Sequence, residues 1–201
     1  MDLKGKFIVI EGADGAGKTT QANMLCNFFE VNAIDYLYTR EPGGTDVGNE
    51  IRNILLNFKG NINPITETIL YSAARAQLIQ DVIKPKLDQG INVVADRYVF
   101  SSIVYQGIAL GVEEKVVADI NKIATESLMP DYTFYIDLNV ESSLARITGK
   151  KDRIEQRGID YFKKVREGYI SLTKKYPIIT IDGNRNKEEV FKDIVEHMGL
   201  I

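Results

Sequence analysis

Residues 12–19 have the sequence GADGAGKT and match the pattern G-x-x-x-x-G-K-[ST] at every fixed position. The glycines allow backbone conformations that other residues rarely adopt, so phosphate can approach the chain closely. Successive backbone N–H groups and the positive end of a following helix then favour an anion. We expect Lys18 to reach the β- and γ-phosphates of a nucleoside triphosphate and Thr19 to offer its hydroxyl to Mg²⁺.

The surroundings of this loop favour a binding site over a glycine-rich turn without a ligand. The apolar run FIVI, residues 7–10, precedes the loop and is typical of a buried strand. Apolar residues then recur at helical spacing from Ala22 to Phe29, which predicts a helix after the loop. Strand, loop and helix in this order are the context that the motif requires.

Arginines near the ends of predicted elements indicate a second anionic ligand. They are Arg40, Arg52, Arg75 and Arg97. Each of them alone is typical of a solvated surface residue. Arg40 and Arg97, however, end predicted strands beside the loop, and ligands of open α/β sheets bind at that edge. The group therefore predicts a small phosphotransferase whose acceptor also carries phosphate.

The elements that must position these residues alternate regularly along the chain. Short apolar runs occur at 6–11, 34–40, 91–97, 131–138 and 178–183, with helical patterns between them. This alternation predicts an α/β fold in which a five-stranded parallel sheet has helices on both faces. At 201 residues, the chain is expected to form one domain.

Some segments carry more specific expectations. Residues 63–90 are predicted as a long helix that Asn63 caps and that Pro85 kinks or shortens. Residues 101–111 are predicted as a short helix followed by a loop. The basic stretch 149–158 is predicted to be loosely structured.

The composition argues against several classes of protein. The net charge of −3 gives no global positive field for nucleic acid. A single cysteine, Cys26, excludes an internal disulfide, and a single histidine, His197, argues against a zinc site. The first residues lack the long apolar region of a signal peptide, and no apolar run approaches the roughly 18 residues of a membrane span. We expect a cytoplasmic protein that binds neither nucleic acid nor membrane.

Other sequence features reduce the classes of nucleotide-binding protein to which the chain can belong. The guanine-reading pattern N-K-x-D of GTPases is approached only by NKIA at 121–124, which lacks the aspartate. A motor or transport ATPase would need partner surfaces or further domains. The residues alone leave open a kinase with an acceptor pocket and a nucleotide-responsive binding module with weak ATPase activity.

Further segments resemble the thymidylate kinases, a family of nucleoside monophosphate kinases. TREPGGT at 39–45 and GNEIR at 48–52 resemble one signature of that family, and LYSAARAQL at 70–78 resembles the next. DRYVFSSIVYQG at 96–107 resembles the segment that encloses the nucleotide acceptor. DRIEQRGIDYFKKVREGY at 152–169 resembles the lid and following helix of the bacterial enzymes. Together these segments extend the resemblance over nearly the whole chain.

The resemblance implies a reaction and an architecture. The reaction is the transfer of a phosphoryl group from ATP to dTMP with Mg²⁺, which gives ADP and dTDP, in a homodimer. The architecture is a P-loop kinase fold in which residues 1–201 form a single domain with a short lid at about 148–158. A kinase for another nucleoside monophosphate is the alternative.

The resemblance also implies an acceptor site. Its residues are Asp14, Arg40, Pro42, Arg52, Tyr71, Arg75, Arg97, Ser102, Tyr105 and Gln106. Most of the arginines are expected around the acceptor phosphate. Tyr71 is expected to stack on thymine, with Arg75 one helical turn further along the same face. Ser102 and Gln106 are expected near the base edge, and Tyr105 is expected to crowd the 2′ position and so favour deoxyribose.

The donor and metal sites follow in the same way. The donor nucleotide is assigned to Gly12, Ala13, Asp14, Gly15, Ala16, Gly17, Lys18, Thr19, Thr20 and Arg146. Arg146 is expected to lie along the adenine. Thr19 and Asp96 are the residues implied for Mg²⁺, with Asp96 acting through water.

The catalytic cations are expected to come partly from the lid. Some family members carry an arginine inside the phosphate loop, where this chain has Gly15, and those members generally lack basic catalytic residues in the lid. This chain matches the other group, because its lid holds Lys150, Lys151 and Arg153. The catalytic residues implied are Lys18, Arg97, Lys151 and Arg153.

Overall fold

The computed structural model describes residues 3–149 and 151–201. Its strands are β1 Phe7–Glu11, β2 Tyr36–Arg40, β3 Asn92–Asp96, β4 Tyr132–Asp137 and β5 Ile179–Asp182. They form one five-stranded sheet in the order β2-β3-β1-β4-β5, and every pairing is parallel. The predicted α/β fold and the five predicted strands are confirmed.

Helices connect the strands. They are α1 Lys18–Val31, α2 Asp46–Asn57, α3 Pro64–Leu78, α4 Lys84–Asp88, α5 Val99–Ser102, α6 Glu114–Thr125, α7 Val140–Arg146, α8 Ile159–Thr173 and α9 Lys187–His197. π-helical turns follow α3 and α5, at Ile79–Ile83 and Ile103–Ala109, and a 3₁₀ turn lies at Glu155–Arg157. Within the described ranges, no helix is both long and apolar enough to cross a membrane.

The central strand has one apolar layer on each side. Along β1, Phe7 and Val9 belong to one buried cluster, and Ile8 and Ile10 belong to the other, because successive side chains of a strand point to opposite faces. The first cluster continues into α8, and the second continues into α1 and α9. Helices therefore cover both faces, as the sequence predicts.

The register of the sheet sets the position of the charged residues. Asp96, the last residue of β3, lies opposite Ile10 of β1 and opposite Arg40 of β2. The carboxyl ends of these three strands are therefore level, and the loop after β1 begins at the same edge. This alignment brings the phosphate loop, Arg40 and the β3 terminus together.

Capping residues fix where the nearby helices begin. The Thr45 hydroxyl accepts a hydrogen bond of 3.0 Å from the Gly48 N–H at the start of α2. The Asn63 side chain accepts one of 2.8 Å from Thr66, with Pro64 in the first position of α3. The Asn63 cap is the one that the sequence predicts, and each of the two side chains satisfies a backbone donor that the helix leaves free.

The predicted long helix over residues 63–90 is divided rather than simply kinked. It consists of α3, the π-helical turn Ile79–Ile83 and α4. Pro85 has no N–H, and its ring crowds the carbonyl one turn earlier. The wider π-helical turn just before it accommodates both effects.

The short helix and following loop predicted for residues 101–111 are confirmed, although the helix begins two residues earlier. The chain is helical from Val99 through Ala109, first as α5 and then as the π-helical turn. The polar residues Ser101 and Gln106 of this segment are buried and bonded to carboxylates of distant segments. Because those partners satisfy the side chains, the segment can pack as a helix.

Candidate active site

The phosphate loop is tightly packed between the sheet and α7. Gly15 and Gly17 have φ angles of +79° and +100°, in the left-handed region that favours glycine. A Cβ atom on Gly15 would also overlap the carbonyl oxygen of Ser143. An arginine at position 15, which is expected in some members of the resembled family, would therefore require the contact between the loop and α7 to rearrange.

Lys18 lies folded over the loop. Its Nζ donates a hydrogen bond of 2.8 Å to the carbonyl oxygen of Ala13, and its side chain is buried. Burial lowers the pKa of Lys18, and the positive charge of Arg97 lowers it further. The ammonium group is therefore poorly solvated, and an anion in the loop would stabilise it.

Thr19 and Asp96, the predicted metal residues, are in direct contact. The Thr19 hydroxyl donates a hydrogen bond of 2.6 Å to Oδ2 of Asp96. Hydroxyl and carboxylate oxygens are the hard donors that suit Mg²⁺. Among the described residues, no three His, Cys, Asp or Glu side chains group into a metal site. Mg²⁺ would therefore need nucleotide phosphates and water as its other ligands, as is usual for this ion.

Arg97 connects the phosphate loop to the helical segment Val99–Ala109. Its guanidinium lies 2.5 Å from the Asp14 carboxylate and donates a hydrogen bond of 2.9 Å to the Gly12 carbonyl. The Tyr105 hydroxyl donates to Asp14 at 3.2 Å, and the Tyr105 ring lies beneath the guanidinium. Arg97 has a φ of +75°, a strained conformation for a non-glycine residue that is typical of functional sites.

An arginine-rich cavity of about 240 Å³ opens at this sheet edge. All ten residues that the family resemblance implies for the acceptor site line it. Burial lowers the pKa of Arg52, and the positive charges of Arg40 and Arg97 add to that effect. Cations that repel one another around a cavity indicate that the cavity suits an anion.

A second cavity, of about 550 Å³, lies between the start of α1 and the loop before α9. We call it the α1–α9 cavity. It is lined by loop residues, by Arg146 and by Arg185, Asn186 and Lys187. Gly15, Lys18 and Thr19 line both cavities. Groups placed in the two cavities would thus meet at the phosphate loop.

Comparison with known proteins identifies the family. A model of the family described as thymidylate kinase matches residues 10–194. A thymidylate kinase of Thermoanaerobacter sp. (strain X514) is 46% identical over 198 residues, which covers 96% of this chain and 97% of that protein. The thymidylate kinases of Caldanaerobacter subterraneus subsp. tengcongensis and Kosmotoga olearia are 46% and 39% identical, each over 96% of this chain and 95% of theirs. The chain belongs to the thymidylate kinase family.

Tyr71 and Arg75, which are expected near the thymine base of the acceptor nucleotide, differ in how available their side chains are for a ligand. Tyr71 is half-buried in the wall of the arginine-rich cavity. Arg75 is buried, and its Nε donates to Glu41 at 2.7 Å. Its other nitrogens donate to the Ser102 hydroxyl and the Tyr98 carbonyl, each at 3.0 Å, and to Asn121. A contact between Arg75 and an acceptor would therefore require it to exchange one of these partners.

Arg153 of the lid contacts α2 and α3 and not the phosphate loop. The Arg153 Nε donates 2.7 Å to the carbonyl oxygen of Leu55, and its terminal nitrogen lies 2.6 Å from Glu67. Among the described residues, neither Lys151 nor Arg153 lines either cavity. Lys150 lies outside the described residues. The predicted contact of Arg153 with a transferring phosphoryl group thus requires the lid to move from this arrangement.

Several residues of the site carry no clear signal in the sequence. Asp152, Ile154 and Glu155 of the lid line the arginine-rich cavity. Glu67 binds both Arg153 and Arg157 and also accepts from Gln106. Only the basic character of the lid pointed to Arg157, and nothing in the spacing of residues pointed to Glu67, which lies in another part of the chain.

Proposed function

We propose that this protein is a thymidylate kinase that transfers the γ-phosphoryl group of ATP to dTMP. The observation that carries the proposal is the meeting of two cavities at Gly15, Lys18 and Thr19. The arginine-rich cavity holds dTMP, and the α1–α9 cavity holds ATP. The family membership and the names of the relatives support the choice of substrate.

The transfer is a direct displacement. An oxygen of the dTMP phosphate forms a bond to the γ-phosphorus of ATP, while the bond from that phosphorus to the β,γ-bridging oxygen breaks and ADP leaves. The attacking oxygen is already ionised at neutral pH, so no general base is assigned. Alignment and charge stabilisation are the main tasks of the protein in such a reaction.

The phosphate loop and Arg97 hold charge at the point of transfer. Lys18 contacts the β- and γ-phosphates in this proposal, and binding them would relieve the poor solvation of its ammonium group. Arg97 lines the arginine-rich cavity beside the phosphate loop, and in this proposal it bridges donor and acceptor phosphates. Asp14 fixes that guanidinium from the loop side at 2.5 Å.

Thr19 and Asp96 hold Mg²⁺. When bound, the ion would neutralise charge on the nucleotide phosphates. The Thr19 hydroxyl donates its hydrogen bond to Asp96, so the lone pairs of the hydroxyl oxygen can face a cation. Asp96 orients that hydroxyl and adds negative charge next to it.

The acceptor is held at both of its ends. Arg40 and Arg52 bind the dTMP phosphate, and Arg52 is positioned by a hydrogen bond of 2.8 Å to the Pro42 carbonyl. Tyr71 stacks on the base, and the base edge faces Ser102 and Gln106. Tyr105 excludes a 2′-hydroxyl. Arg146, which lines the α1–α9 cavity, lies along the adenine of ATP.

We further propose that the protein acts as a homodimer in the cytoplasm, with residues 1–201 as one kinase domain. Helices α2 and α6 both pack beside α3, and the three helices expose large apolar side chains. Ile69 and Ile123 are 52% and 79% exposed. A partner copy that covered them would remove this apolar surface from water. Light scattering should give a molar mass twice that of one chain. Ile69→Arg should lower the measured mass toward that of a single chain.

A coupled assay of ADP release tests the function directly. The purified protein is supplied with ATP, Mg²⁺ and one monophosphate at a time. dTMP-dependent ADP release is expected, with little release without an acceptor. Turnover with another monophosphate alone would replace the proposed substrate. ATP binding without any acceptor-dependent turnover would overturn the proposal of a kinase.

A further inference from the structure

Glu67 joins three segments that are distant in the sequence. It lies on α3, one helical turn before Tyr71, and its side chain is fully buried. Its carboxylate accepts a hydrogen bond of 2.9 Å from Nε2 of Gln106. It also lies 2.6 Å from the guanidinium of Arg153 and 2.5 Å from that of Arg157. One buried acid thus contacts both the lid and a wall of the arginine-rich cavity.

The surroundings of this acid keep it ionised. Burial raises the pKa of the Glu67 carboxyl, but the hydrogen bonds and positive charge of Arg157, with Gln106 and Arg153, bring that pKa below its usual value. A carboxylate can only accept hydrogen bonds. The group of Gln106 that faces it must therefore be the NH₂ group and not the carbonyl oxygen.

This restriction decides what Gln106 presents to the cavity. The side chain is buried and lines the arginine-rich cavity. Because the amide is planar and Nε2 is held by Glu67, Oε1 is the polar atom on its other edge. An oxygen in that position accepts a hydrogen bond from a ring N–H and repels a ring nitrogen that carries a lone pair.

We propose that Glu67 is a positioning residue for base selection, which fixes the Gln106 amide so that the site accepts a pyrimidine with an N3–H and rejects one without it. Thymine carries a proton at N3, whereas cytosine presents a lone pair there. The inference rests on the proposed function, since it assumes that the acceptor base lies in the arginine-rich cavity. Glu67 acts through Gln106 and does not touch the base.

The test compares kcat/KM for dTMP and dCMP in Glu67→Gln. The neutral amide has the same shape but can present either a donor or an acceptor, so the orientation of Gln106 is no longer fixed. The ratio of the two values should fall by at least about tenfold, because a mismatched buried hydrogen-bonding group is a strong source of discrimination. A ratio within twofold of the parent, with a lowered kcat, would overturn the proposal and leave Glu67 as an anchor of the lid.

Two controls separate the base from the lid. Arg157→Gln removes one ion pair to Glu67 but leaves Arg153 and the Gln106 bond, so the dTMP/dCMP ratio should stay within about twofold of the parent. Gln106→Met should lower the ratio by itself, and adding Glu67→Gln should lower it no further, because coupled residues are not additive. Additive losses, or an equal loss in Arg157→Gln, would contradict the proposal.

An NMR measurement on the parent protein covers two remaining outcomes, a Glu67→Gln variant that does not fold and a parent that does not use dTMP. The side-chain NH₂ signals of Gln106 are identified by their loss in Gln106→Met. They should exchange slowly with solvent, because Glu67 holds them. Signals that exchange like those of an exposed glutamine would overturn the role of Glu67. Absence of dTMP turnover in the parent would instead overturn the proposed function.

Discussion

The Thr19 hydroxyl and the Asp96 carboxylate are joined by a hydrogen bond of 2.6 Å, which links the first turn of α1 to the end of β3. Thr19 is exposed at the start of its helix, whereas Asp96 is buried in the sheet edge. The buried acid therefore fixes the orientation of the exposed hydroxyl. A cation bound by that hydroxyl would therefore have a fixed position relative to the end of β3.

We predict that Asp96→Asn weakens Mg²⁺ binding by about 10–100-fold, the usual effect of losing a group that orients a metal ligand. Thr19→Val should weaken it as well, while Thr19→Ser should keep most of the activity because the hydroxyl remains. The measurement is ADP release over a series of Mg²⁺ concentrations. An unchanged Mg²⁺ dependence in both Thr19→Val and Asp96→Asn would contradict this assignment.

Lys18→Met should lower kcat by at least about 10²–10³-fold, the range for loss of one charge-stabilising group in a closed site. The fold should not lose stability. Because burial and the charge of Arg97 lower the pKa of Lys18 in the folded chain, the charged form opposes folding at any pH below that pKa. A thermal transition equal to or above that of the parent is expected. Normal turnover in a folded variant would count against the role of Lys18.

Tyr105 should act as the filter for deoxyribose. Tyr105→Phe should keep the preference for dTMP over ribothymidine monophosphate, since the ring fills the 2′ space. It should still raise KM for dTMP, because the hydroxyl that donates to Asp14 at 3.2 Å is lost. Tyr105→Ala should narrow the gap between the two nucleotides. If Tyr105→Ala discriminates as well as the parent, the ring does not occupy the 2′ space.

Tyr71 should matter for the acceptor and not for ATP. Tyr71→Ala should weaken dTMP binding by about 1–3 kcal/mol, the range for loss of stacking between a base and an aromatic ring. Tyr71→Phe should bind dTMP almost as the parent does. Titration calorimetry with dTMP and ATP checks both variants. Equal losses for the two nucleotides would indicate damage to the fold instead of lost stacking.

Features that depend on neighbours in the sequence could be predicted, and features that depend on distant partners could not. The phosphate loop, the caps at Thr45 and Asn63 and the five strands follow from local patterns. The order of the strands does not, because it depends on packing among all of them. The burial of Ser101 and Gln106 in the helix Val99–Ala109 could not be predicted either, because their partners are Glu11 and Glu67, far away in the chain.

The lid shows the same limit. The sequence shows its basic residues but not their partner, since 86 and 90 positions separate Glu67 from Arg153 and Arg157. When the partner is unknown, the sequence gives no reason to treat any lid cation differently from the others, and each of them could contact the phosphates. The structure divides them, because it places two arginines against a buried acid on α3 and leaves Lys151 exposed.

Lys151 and Arg153 are the lid cations expected to act in catalysis. Lys151→Ala combined with Arg153→Ala should lower kcat by at least about 10²-fold, because a cation that reaches the phosphoryl group only on closure contributes mainly in the transition state. KM for ATP and dTMP should move far less. Arg157→Gln is the matched control, since it removes a comparable ion pair to Glu67 without removing an assigned catalytic cation. If Arg157→Gln lowers kcat as much as the double variant does, Arg153 anchors the lid, and the charge at the phosphoryl group must come from Lys18, Arg97 and Mg²⁺.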